Sequence, residues 1–80
     1  MTNRQINRLG EEFINAFNDY ARHIILCPEK IKQKKKRKFL SVLSKFEKTF
    51  NKGYVFDDKT MWFYYDLVDT GIIEDIRNAD

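Results

Sequence analysis

A chain of 80 residues makes one domain, spanning residues 1–80, with a small core: at this length only about 60% of the unfolded surface is buried. Cys27 and His23 are the only residues of their types, which excludes an internal disulfide and a Cys/His metal cluster. The net charge of +3 hides a segregation: residues 1–26 are net zero, residues 27–56 hold ten basic and two acidic side chains, and residues 57–80 hold two basic and seven acidic ones.

The first segment opens on Thr2-Asn3-Arg4-Gln5, a capping box with Thr2 at the N-cap and Gln5 at N3. Ile6, Leu9, Phe13, Ala16, Phe17, Tyr20 and Ile24 then recur every three or four residues. That spacing gathers them into one apolar stripe and predicts a helix over about residues 3–26. Gly10 lies beside the stripe and marks a close contact with its backbone. Pro28 ends this helix and suits the start of the next, with Cys27 a small apolar residue at the bend.

A second stripe, Phe39, Val42, Leu43, Phe46 and Phe50, predicts a helix over about 29–51, closed by Asn51 to Gly53. Extended backwards, the stripe meets Lys32, Lys35 and Lys36 instead of apolar residues. The first two turns of this helix therefore carry cations on every side, and either project as a free end or fray into a loop.

Residues 54–65 are rich in strand formers, and Asp57-Asp58-Lys59-Thr60 has the length of a hairpin loop. A helix over about 58–70 accounts for more: Asp57 caps it, Phe56 and Met61 form a hydrophobic staple, and Gly71 takes the left-handed C′ position beside Ile72. Ile72, Ile73 and Ile76 follow as a short final turn over the core. The expected fold is all-α, a small three-helix bundle with a short C-terminal helical turn. A homodimer is the alternative, because a small core without disulfide or metal gains from association.

The functional signal is the run Lys30-Ile31-Lys32-Gln33-Lys34-Lys35-Lys36-Arg37-Lys38, in which seven of nine residues are cationic. Lys30/Lys34, Lys32/Lys36 and Lys34/Lys38 are like-charge pairs at i,i+4, each costing about 0.2–0.5 kcal/mol in a helix. Cations in a first turn also oppose the helix dipole by about 0.3–1 kcal/mol. Glu29 is the only acid nearby, so nothing local neutralises the run. An external polyanion relieves the repulsion and releases counterions. On the helical wheel Lys30, Lys34, Arg37, Lys38, Lys45 and Lys48 lie opposite the Phe stripe, as a basic ridge about 27 Å long at about 1.5 Å per residue. Lysine is a point charge without the fork that reads guanine edges, so weakly sequence-specific binding is expected. The stretch Lys34-Lys35-Lys36-Arg37-Lys38 also resembles a monopartite nuclear localisation signal, a short motif of low specificity.

Trp62, Phe63, Tyr64 and Tyr65 are four consecutive large side chains and cannot all be buried on one helix. Trp62 or Tyr64 is the expected stacking contact for an unpaired base, beside the ridge. Asp57, Asp58, Asp66, Asp69, Glu74 and Asp75 are better read as caps and solvated acids than as a metal-dependent nuclease site. His23 has no nucleophile arranged around it, and the three glycines are isolated rather than grouped in a phosphate loop. No catalytic machinery and no cofactor is expected.

These residues predict a non-enzymatic regulatory or inhibitory protein that binds nucleic acid, RNA ahead of DNA. The contacts expected are Lys30, Lys32, Lys34, Lys35, Lys36, Arg37, Lys38, Lys45 and Lys48, with Trp62 adding stacking. The alternative partner is an acidic protein surface on a host enzyme. A free cysteine, no apolar run near the roughly 18 residues of a membrane span, and an N-terminus without a signal-peptide stretch point to the cytoplasm. A short Lys/Asn/Phe-rich composition without catalytic motifs is the kind associated with phages and mobile elements.

Overall fold

The capping box forms as read. In the computed structural model, which describes residues 2–26 and 29–78, the Gln5 N–H donates to Thr2 Oγ1 at 3.2 Å and the Thr2 N–H donates to Gln5 Oε1 at 2.9 Å. Helix α1 (Asn3–Leu26) follows, with Ile6, Leu9, Phe13, Ala16 and Tyr20 buried and Phe17 half-buried. The expected bend at Cys27 and Pro28, and the side chain of Ile24, lie outside the described residues.

Helix α2 (Glu29–Asn51) buries Phe39, Leu43 and Phe46. Val42 is half-buried, and Phe50, in the last turn, is exposed: the stripe ends where the helix does. The Gly53 N–H donates to the Phe50 carbonyl at 3.0 Å, and Gly53 adopts φ +94°, which glycine takes without steric cost. The basic first turns of α2 do not fray; they are helical from Glu29 onward.

Residues 58–69 are helical, not a hairpin. Asp57 caps α3 (Asp58–Asp69), its Oδ1 accepting from the Thr60 N–H at 3.1 Å. Phe56 before the cap is buried, and Met61 beyond it packs on the core. Gly71 ends the helix at φ +78°, its N–H donating to the Val68 carbonyl at 3.1 Å. The expected final turn is a full short helix, α4 (Ile72–Asn78), with Ile73 and Ile76 buried. There is no strand among the described residues.

The helices α1 and α2 run antiparallel: Phe13 stacks on Phe46 at 4.6 Å while Tyr20, two turns later, stacks on Phe39 at 6.3 Å. The third helix lies against this hairpin through Phe63, which meets Phe13 and Phe17 edge-on at 5.8 and 5.5 Å. Phe46 also stacks on Phe56 at 4.1 Å, so one aromatic column joins α1, α2 and the entry to α3. Phe13, Phe39 and Phe46 have no exposed surface, and each contributes about 1.5–3 kcal/mol by burial. Gly10 is the expected close approach: a Cβ there would lie 3.1 Å from Thr60 Oγ1 and 3.2 Å from Thr60 Cγ2.

Among the described side chains between Tyr20 and Phe39, none is buried, and the fully buried rings Phe13, Phe39 and Phe46 lie outside that interval.

Candidate nucleic-acid interface

Because α2 is continuous, its polar face becomes a fixed row. Lys30, Lys34, Arg37, Lys38, Lys45 and Lys48 are all exposed and lie opposite Phe39, Leu43 and Phe46. None of the six forms an ion pair among the described residues. Ser41 and Ser44 occupy the same face between the two groups of cations and are exposed. Their hydroxyls can donate to phosphate, and their small size leaves the backbone approachable. Sequence inspection for charge alone passes over these serines, although their positions on the wheel place them there.

The inner members of the basic run have a different role. Lys35 Nζ sits 2.7 Å from Asp19 Oδ2 of α1, and Lys32 lies 3.9 Å from Glu29 within its own helix. The expectation that nothing nearby neutralises the run is therefore corrected: the antiparallel hairpin carries a carboxylate from α1 to Lys35. Asp19 has further polar neighbours. Arg22 is 3.7 Å and His23 Nδ1 is 3.5 Å from Asp19 Oδ1, and His23 Nδ1 lies 2.6 Å from the Asp19 carbonyl, placed to donate to it. The Asp19 carboxyl is held below its ordinary 3.8, first by the hydrogen bond from Lys35. Lys32, Lys35 and Lys36 are half-buried, and Lys35 is tied to α1 through Asp19.

At the opposite end, α1 enlarges the ridge. Arg8, Lys45, Lys48 and Lys52 rim a shallow hollow of about 330 Å³ whose floor includes Leu9 and Thr49. Arg8 was not among the expected contacts. Arg8 directly precedes Leu9 of the α1 stripe, and only the pairing of the two helices brings it to the α2 lysines.

Trp62 is exposed, as one of the four aromatics had to be, but it does not flank the ridge. It shares a hollow with Tyr65, Asp66 and Asp69 on the outer side of α3. Tyr64 is committed to the fold. Its hydroxyl donates to Glu47 Oε2 at 2.8 Å, and the other oxygen of Glu47 pairs with Arg77 of α4. Burial, then the Glu47 carboxylate, push the Tyr64 phenol up from 10.0 to about 12. This three-way junction ties α2, α3 and α4 together.

No group of three or more His, Cys, Asp or Glu converges among the described residues, and none of their helices is long and apolar enough to cross a membrane. The chain matches no protein-family model, no curated protein and no solved structure.

Proposed function

We propose that this protein is a non-enzymatic cytoplasmic regulator or inhibitor that binds nucleic acid electrostatically, RNA ahead of DNA, along the outer face of α2. One observation carries this: Lys30, Lys34, Arg37, Lys38, Lys45 and Lys48 stand exposed in a row without carboxylate partners among the described residues, over about 27 Å of continuous helix. Five of the six are lysines, suited to phosphates rather than base edges. Double-stranded RNA is recognised mostly by shape and backbone, because its deep major groove excludes side chains; a lysine ridge suits that mode better than base reading in DNA. The displaced position of Trp62 removes base stacking from the expected contact.

The test is the salt dependence of binding to a structured RNA and to a DNA duplex. A protein making about four to six phosphate contacts shows log K falling by roughly 3–5 per tenfold rise in salt. Failure to bind either at low salt refutes the proposal and leaves an acidic protein surface as the ridge's partner.

A further inference from the structure

The outer face of α3 is chemically the inverse of the ridge. Trp62 is 75% exposed, Tyr65 49% and Val68 44%, and Asp58, Asp66 and Asp69 are exposed around them. Asp58, Trp62, Tyr65, Asp66 and Asp69 follow the three- and four-residue spacing of one helix face. Trp62, Tyr65, Asp66 and Asp69 enclose a hollow of about 260 Å³. Two aromatic faces beside two carboxylates are suited to a long cationic side chain. The ring quadrupoles attract its charge, its methylene stem packs on the rings, and the carboxylates accept its N–H bonds.

This chain itself supplies such side chains. We propose that the lysine ridge of α2 in one copy docks on the outer face of α3 in a second copy. Charge complementarity supports the pairing: residues 27–56 carry ten basic and two acidic groups, residues 57–80 two basic and seven acidic. Pitch supports it as well. Lys30, Lys34, Arg37 and Lys38 repeat at the same three- and four-residue steps as Asp58, Trp62, Asp66 and Asp69, so successive turns of two helices can meet. Docking also covers the exposed apolar surface of Trp62 and Tyr65. The two faces lie on different helices, α2 and α3, so each copy offers both halves of the contact. The contact occupies the proposed nucleic-acid surface, so polyanion and second copy exclude each other; the inference nonetheless stands independently of nucleic-acid binding.

Sedimentation velocity on three proteins tests it: the parent, the ridge variant K34Q/R37Q/K38Q and the face variant W62A/D66N/D69N, each checked for unchanged helix content. The parent is expected to associate with rising concentration at about 0.01 M salt, and about tenfold or more weaker at about 1 M, where the Debye length falls from about 30 Å to about 3 Å. Each variant alone should be monomeric. An equimolar mixture should form a one-to-one heterodimer and nothing larger, because each variant retains one intact half of the contact. The only tryptophan should shift its emission to the blue as the parent associates. The proposal is overturned by a parent that stays monomeric at low salt, by either variant associating alone, or by a face that takes an oligolysine peptide while copies ignore each other. RNA binding by the face variant separates the two ideas: a monomeric parent whose face variant still binds RNA loses the assembly and keeps the proposed function.

Discussion

Replacing Lys30, Lys34, Arg37 and Lys38 together by Gln should raise stability while weakening nucleic-acid binding. All four are exposed and lack ion-pair partners among the described residues. The change removes the i,i+4 pairs Lys30/Lys34 and Lys34/Lys38, about 0.2–0.5 kcal/mol each. It also removes a cation from the first turn of α2, about 0.3–1 kcal/mol. Glutamine matches lysine and arginine closely in helix propensity, so the substitution itself costs little. The net gain is about 1 kcal/mol, which raises the thermal midpoint of a domain of this size by about 4–8 °C. Circular dichroism melting of dilute protein at low salt reads it directly. Four lost phosphate contacts should also flatten the salt slope by about 3. The control is Lys35→Gln, which removes the partner of Asp19 at 2.7 Å and should lower the midpoint. A quartet variant of unchanged helix content that melts below the parent refutes the assignment of the ridge to an outside anion.

Gly10→Ala should destabilise, although alanine in mid-helix is worth about 0.5–1 kcal/mol over glycine, because its Cβ would press on Thr60 at 3.1 and 3.2 Å; in a Thr60→Ala background the same change should stabilise, and a double-mutant cycle of melts measures the coupling. Asp57→Ala should cost about 1 kcal/mol as a lost N-cap. Hydrogen bonds from Thr60, side chain first and then backbone, hold the Asp57 carboxyl below 3.8. Its contribution is therefore present above the unfolded value and lost as pH falls through the lower folded one, so the variant's melting midpoint should decline less steeply in acid. Tyr64, raised from 10.0 to about 12, contributes fully below its unfolded pKa, and that contribution is lost as pH rises from about 10 through about 12. Ultraviolet titration should show a tyrosine phase near pH 12 that Tyr64→Phe removes.

Features set by near neighbours in the chain were legible. The Thr2/Gln5 box, the Asp57 cap and the Gly71 stop each depend on residues within four positions, where side chain and backbone meet whatever the rest does. The two apolar stripes were equally plain, since their period is the helix's own. The ridge followed from the same wheel. What escaped depended on register between helices. Asp19 and Lys35 are each eight residues from position 27, so an antiparallel hairpin turning there sets them face to face; the symmetry about the turn was available as a signal. The Glu47 junction with Tyr64 and Arg77 had no such guide, because it needs the docked positions of α3 and α4. The orientation of Trp62 was missed for a similar reason: four large neighbours guarantee that one is exposed, but not which way α3 turns it.

The described residues of α2 fall into two regimes. Amides around Phe39 and Phe46, which have no exposed surface, should exchange hydrogen only when the whole molecule opens, whereas those of residues 29–38, whose side chains are all exposed or half-buried, should open at lower energy. These opening turns carry Lys30 and Lys34, so a polyanion held there would slow exchange locally and leave the slowest amides near the aromatic column comparatively unchanged.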